Sequence, residues 1–223
     1  MTKIIIIGAG AMGSAFTIPC IENGNDVTLI GTHLENDLIE EISKSPHPTL
    51  KITLPKKLKI EKFEGIKDHS DSDLIVCAVS SLGVDWFVDQ ISQMGNKKLN
   101  IVLLTKGLSI EKGKLTTISY KIKNELKKNG FDDVVVSAIK GPCLAAGLAN
   151  KMRTGTVIAS ENKDTAKLIQ KIITTKYYST ETSEDIKGVE FCGAIKNIYS
   201  MLIGASEGLS NPSAPESIKS KYF

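Results

Sequence analysis

The sequence predicts an α/β fold of the doubly wound kind, built on a mainly parallel sheet, and three observations carry that expectation. The first is a β-branched run, Ile4 to Ile7, followed at once by Gly8-x-Gly10-x-x-Gly13 and a helix-compatible stretch, Ser14-Ala15-Phe16. The second is the recurrence of short apolar strand-type runs separated by helical stretches, from Asp26 to Ile30 through to Tyr177 to Thr180. The third is size and composition. A chain of 223 residues, 41% hydrophobic and 24% charged, has material for a core in one large domain or one and a half.

The four isoleucines have the pattern of a strand buried on both faces. A lone GxGxxG is weak evidence, but here it closes a buried strand and opens a helix, the context its chemistry requires. Gly8 permits the tight turn, Gly10 lets the backbone approach a pyrophosphate, and Gly13 lets helix and strand pack closely. The N–H groups at the helix start face the anion. The reading is a Rossmann-type dinucleotide fold, with Gly8, Gly10, Ala11, Met12 and Gly13 as cofactor contacts.

Beyond the first helix, Asn23-Gly24-Asn25 turns the chain into a strand from Asp26 to Ile30. NAD-selective folds place an Asp or Glu near the end of this strand, on the ribose 2′-hydroxyl. Here Gly31-Thr32-His33-Leu34 follows, and the first acid is Glu35. No carboxylate stands ready to repel a 2′-phosphate and no arginine to receive one, so NAD or NADP stays open, with a lean to NADP and His33 as a candidate contact. Glu35 to Lys44 reads as a helix, and the Pro-rich stretch from Ser45 to Lys59 as a loop with a short edge strand. Leu74 to Val79 is a buried strand ending in Ser80-Ser81, which lies near the cofactor or simply turns the chain.

Val84 to Met94 reads as a helix with Trp86 in the core, and Asn100 to Thr105 as a strand that delivers Lys106-Gly107. Leu115 to Asn129 reads as an amphipathic surface helix and Val134 to Ser137 as a strand leading into Gly141 to Gly147. Thr156 to Ala159, Thr165 to Ile173 and Tyr177 to Thr180 read as strand, helix and strand. From Ser183-Glu184-Asp185, an N-cap with acids in the first turn, a mostly apolar helix runs to about Gly208. Glycine in a helix costs about 1 kcal/mol relative to alanine. Gly188, Gly193 and Gly204 on one helix therefore point to close approach by a backbone or ligand. Lys196-Asn197 sits amid this apolar surface, where a buried lysine is costly without a partner.

Composition narrows the function classes. The net charge of 28 − 25 = +3, with Arg153 as the only arginine, argues against a nucleic-acid surface. Cys20, Cys77, Cys143 and Cys192 are scattered, with no CxxC pair and no metal-like spacing to a histidine, so reduced thiols in the cytoplasm are expected, and no metal site. The isoleucine run is too short for a signal peptide, and no run reaches membrane-spanning length.

With Lys106 and Lys196 both in view, the chain resembles the soluble, NAD(P)-dependent glycerol-3-phosphate dehydrogenase family. The matching stretches are Gly8 to Ala15, Thr105-Lys-Gly107, Gly141-Pro-Cys-Leu-Ala145 and Gly188 to Asn197, in the family's order and spacing. The resemblance implies hydride transfer between NAD(P)H and dihydroxyacetone phosphate, giving sn-glycerol 3-phosphate for phospholipid synthesis. It makes Lys196 the catalytic acid/base and Asn197 a substrate contact, and it has Lys106 touching cofactor and substrate. Gly141 and Cys143 would border the substrate, Cys143 standing where relatives carry Ser or Thr, and Ala145 would lie against the cofactor.

A second lysine near Lys196 would lower its pKa by like-charge repulsion. Relatives continue into an all-helical domain that grips the substrate phosphate. This chain is expected to be C-terminally truncated: a dinucleotide-binding domain over 1–182, then the first helix of an incomplete all-α domain over 183–223, with Pro212 and Pro215 opening a disordered tail. A homodimer is expected, because the apolar helix needs cover. A hydroxy-acid or keto-acid reductase, or a non-catalytic NAD(P)-binding remnant, are the other readings.

Overall fold

The isoleucine run becomes β1 (Lys3–Ile7), and every later strand of the main sheet is placed relative to it. In this computed structural model residues 1–95 and 98–210 are described. The chain continues through α1 (Ala11–Glu22), β2 (Asp26–Ile30), α2 (Asn36–Ile42), β3 (Lys59–Glu61), β4 (Leu74–Cys77), α3 (Val84–Ser92) and β5 (Lys98–Leu103). There follow β6 (Leu108–Glu111), β7 (Lys114–Thr117), α4 (Ile118–Lys128), β8 (Asp133–Lys140), α5 (Ala145–Ala149), β9 (Thr154–Ala159), α6 (Lys163–Ile173), β10 (Tyr178–Ser183) and α7 (Ile186–Ser210).

The main sheet has eight strands in the order β10-β9-β8-β5-β4-β1-β2-β3. Pairing is parallel except between β8 and β9, so β9 and β10 run against the rest. Because β1 pairs with β2 on one side and β4 on the other, the chain reverses its direction of travel across the sheet there. That reversal opens a crevice at the carboxyl ends of β1 and β4, where α/β sheets bind ligands.

Alternation along β1 explains its unbroken hydrophobicity. Ile4 and Ile6 enter the core on one face of the sheet, with Phe16 and Ile169. Ile5 and Ile7 enter the opposite core, with Phe87, Ile91 and Ile122. The helix α1 is buried from Gly13 to Cys20 because α5 and α6 cover it from outside the sheet.

Three expectations are corrected. The helix expected from Leu115 starts at Ile118, because Leu108 to Thr117 form an antiparallel hairpin, β6–β7. Lys112-Gly113 turns it with φ of 49° and 75°, the left-handed pair a two-residue hairpin needs. Trp86 is half-buried rather than core, lying 5.0 Å from the ring of His33 and 6.3 Å from that of Phe63. Lys196, expected to be a buried charge, is exposed on α7. The tail expectation at Pro212 and Pro215 lies outside the described residues. Among the described residues, no helix is long and apolar enough to cross a membrane.

Candidate active site

The glycine loop is built as its spacing requires. Gly8 has φ of 112°, and a Cβ there would stand 2.8 Å from the carbonyl carbon of Ala78, so β4 closes on the turn. A Cβ on Gly13 would collide with the carbonyl oxygen of Gly8, which is how α1 packs so close to β1. Gly10 differs. A Cβ there would meet only Glu35 Oε1, at 3.8 Å, which leaves the loop open on its outer side. Gly10 caps α1 with no side-chain acceptor, so the first-turn N–H groups stay available to an anion.

Residues outside the motif hold this loop in shape. The Ala9 carbonyl accepts from Ser14 Oγ at 2.8 Å and lies 3.2 Å from Nε2 of the buried His47. His47 Nδ1 accepts from the N–H of Thr49 and Leu50, which leaves Nε2 as the donor to Ala9. The Ala9 N–H donates to Glu35 Oε2 at 3.0 Å. One residue's backbone is thus tied by three side chains.

Two clefts meet beside this loop. The first, about 540 Å³, is lined by Gly10, Ala11 and Met12, by Val79 to Ser81 at the end of β4, and by Lys106, Cys143 and Ala145. The second, about 560 Å³, is lined by Lys106, Lys140, Gly141, Asp185, Lys196 and Asn197, with Gly188 and Gly193 of α7. Lys106 belongs to both. The first cleft fits a dinucleotide: two glycines leave no room for a side chain, the third is open, and a helix N-terminus lies along its wall. The candidate residues therefore fall into two groups sharing Lys106. Cys143 lines the cofactor-side cleft and Gly141 the other, so the two do not share one wall. His33 is exposed, packs on Trp86 and lines neither cleft.

Lys140, the last residue of β8, was not singled out from the sequence, yet it is the buried lysine of the site. Its Nζ donates to the carbonyl oxygens of Thr105 at 2.6 Å and Leu103 at 3.3 Å, the end of the strand that delivers Lys106. Burial pushes its pKa down to about 8, with Glu190 opposing the shift and Lys106 adding to it. Glu190 is itself buried on α7, and its carboxyl is raised above the usual range by burial, against which the Ser119 N–H at the start of α4 works. The signal in the sequence was a lysine ending an apolar strand just before Gly141. Gly193 makes room for it: a Cβ there would lie 3.1 Å from Lys140 Cδ.

Lys106, Lys140 and Lys196 line the second cleft together with Asp185, beside the cleft that borders the open side of the glycine loop. Fold and clefts together define a Rossmann-type domain of the dinucleotide-binding class. A family model described as the N-terminus of NAD-dependent glycerol-3-phosphate dehydrogenase matches residues 3–166. The chain belongs to that family. The NADP(+)-dependent glycerol-3-phosphate dehydrogenase of Archaeoglobus fulgidus is 31% identical over 216 residues, covering 92% of this chain and 60% of that protein. The NAD(P)+ glycerol-3-phosphate dehydrogenase of Leptospira biflexa is 34% identical over 210 residues, covering 93% and 61%. The crystal structure of glycerol-3-phosphate dehydrogenase from Coxiella burnetii superposes with a TM-score of 0.76 at 26% identity, covering 95% of this chain and 63% of that one. The chain thus spans 60–61% of the length of these two curated relatives.

Proposed function

We propose that this chain acts as an NAD(P)-dependent sn-glycerol-3-phosphate dehydrogenase, interconverting dihydroxyacetone phosphate and sn-glycerol 3-phosphate for phospholipid synthesis in the cytoplasm. The observation that carries this reading is Lys106, which lines the dinucleotide-shaped cleft and the lysine-lined cleft at once. Gly8, Gly10, Ala11, Met12, Gly13, Ala145 and Lys106 would hold NAD(P)H, which when bound supplies the hydride that reduces a ketone carbon. His33, read as a further contact, lines neither cleft and is left out of this set.

The rest is work for this chain's own side chains. Lys196 Nζ donates a proton to the substrate oxygen as it becomes an alkoxide, and takes it back in the reverse direction. Lys106 polarises the same carbonyl. Asn197 and Gly141 orient the substrate, and Cys143 borders it from the cofactor side. Lys140 holds the backbone from which Lys106 projects. We read residues 1–182 as the cofactor unit and 183–223 as the start of the substrate unit, a division supported, among the described residues, by the change from alternating strands and helices to the single long α7. The exposed run of Ile198, Tyr199, Met201, Leu202 and Ile203 on α7 supports a homodimer.

The test is oxidation of NADH and NADPH by the purified chain, dependent on dihydroxyacetone phosphate. Lys196→Ala should lower turnover by roughly 10²–10⁴-fold, the usual worth of a general acid, while leaving NADH binding unchanged. Near-full turnover in the variant would remove Lys196 from the mechanism. Saturable dinucleotide binding with no turnover in the unaltered chain would reduce the reading to a binding unit.

A further inference from the structure

The relatives' names span NADP(+)-dependent and NAD(P)+ enzymes, so family membership leaves the cofactor of this chain undecided. We propose that Glu35 makes it prefer NAD over NADP, by holding a carboxylate against the outer side of the glycine loop, where the acid that reads the adenosine ribose stands in dinucleotide folds. The proposal rests on the dinucleotide reading of that cleft and deepens it.

Glu35 lies five residues beyond the end of β2 and immediately precedes α2, folding its side chain back toward the sheet. Oε2 accepts from the Thr32 N–H at 2.8 Å and the Ala9 N–H at 3.0 Å. The carboxylate therefore bridges the exit of β2 and the glycine loop. Oε1 stands 3.8 Å from where a side chain on Gly10 would begin, on the loop's open side. In dinucleotide folds the acid that accepts from the ribose 2′-hydroxyl comes from the end of β2 and lies against this loop. Here the strand end itself is Gly31-Thr32-His33, and the acid reaches the same corner from further along the chain.

The hydrogen-bond inventory points one way. Two backbone amides are committed to Oε2, which leaves Oε1 to accept from a ligand. NAD offers two ribose hydroxyl donors. NADP keeps the 3′-hydroxyl but replaces the 2′-hydroxyl with a phosphate, which carries charge of the same sign and is mostly without a donor at neutral pH. Among the described residues, three basic groups are paired elsewhere or distant. Lys62, near the exit of β3, is paired with Glu40 at 2.5 Å. Arg153 precedes β9, five strands across the sheet from β2. The exposed His33 ring is turned against Trp86. Glu35 is fixed by its two amide bonds, so it meets a 2′-phosphate at full strength rather than swinging away.

The experiment measures dissociation constants of NADH and NADPH for the purified chain by calorimetry, without substrate, so that turnover plays no part. The unaltered chain should bind NADH at least tenfold more tightly than NADPH. Glu35→Gln keeps one acceptor for the amides and removes the charge; it should close that gap at least fivefold, mainly by strengthening NADPH. Glu35→Asp keeps the charge on a shorter arm and should weaken NADH without gaining NADPH, and thermal unfolding of both variants checks the fold. Equal or tighter NADPH binding by the unaltered chain overturns the proposal, as does an unchanged ratio in Glu35→Gln. Binding of neither dinucleotide removes the cleft assignment and the proposal with it. NADH preference that Glu35→Gln erodes, in a chain that shows no turnover, supports the proposal and counts only against the catalytic reading.

Discussion

Three glycines spaced as in the motif have three different surroundings, and substitution should separate them. A methyl on Gly13 collides with the Gly8 carbonyl oxygen, which is backbone and has nowhere to move. Gly13→Ala should therefore destabilise the fold by roughly 2–3 kcal/mol, in the range of overpacked core sites. Gly10→Ala meets nothing closer than 3.8 Å, so its melting temperature should stay near that of the unaltered chain while NADH affinity falls at least tenfold. Thermal unfolding with and without NADH checks both, and equal stability losses at the two positions would refute the distinction. The spacing made these roles legible. The fixing of Ala9 by His47, Ser14 and Glu35 was not, because partners 26 and 38 residues away along the chain leave no local pattern.

At the scale of elements, strands and helices were legible where an apolar period was strong, and the hairpin of β6 and β7 was not. Its four-residue strands are polar, half exposed, and joined by Lys112-Gly113 rather than a strong turn pair. The junction of β8 and α7 was also invisible. Lys140 ends the strand, its stem fills the space left by Gly193, and its ammonium is bound beneath α7 beside Lys106 and Glu190.

That junction carries a pH signature. Folding lowers the pKa of Lys140 from 10.5 to about 8, so between those values the unfolded chain binds more protons and stability rises with pH. Below pH 8 the lysine is charged in both states and the cost is constant. A pKa change of one is worth about 1.4 kcal/mol, so the unaltered chain should gain about 3 kcal/mol over Lys140→Met as pH rises through that window. Denaturant unfolding across the window reads it. The groups facing Lys140 are Glu190, Cys77 and Lys106; burial pushes the Cys77 thiol from 9.0 up to about 11, which lowers stability as pH rises above 9, and because both proteins carry Cys77 the comparison between them isolates Lys140. Parallel curves for the two proteins would show that Lys140 is not the group responsible.

Across the whole molecule, the sheet order brings β1, β4, β5 and β8 side by side, so that four separate chain exits surround one pair of clefts. What it leaves uncovered is the outer face of α7, from Ile198 to Ile203, where five large apolar side chains are 49–59% exposed. If a second copy covers them, sedimentation velocity should show a dimer that Leu202→Glu converts to monomer without loss of the folded signal. A monomer at micromolar concentration, insensitive to that substitution, would rule out this face as the contact.

Legible in the chain before it folds were the class of fold, the glycine loop, the family, and the candidates Lys106, Lys196 and Asn197. Each of these is written in a contiguous stretch with a period or motif imposed by local geometry. Folding was needed to bring Lys106 to the meeting of two clefts, to bury Lys140 rather than Lys196, and to bind Glu35 to the glycine loop while His33 turns away. Those outcomes depend on which strand ends lie side by side and on which side chains lose their water. Both are set only when the sheet has closed.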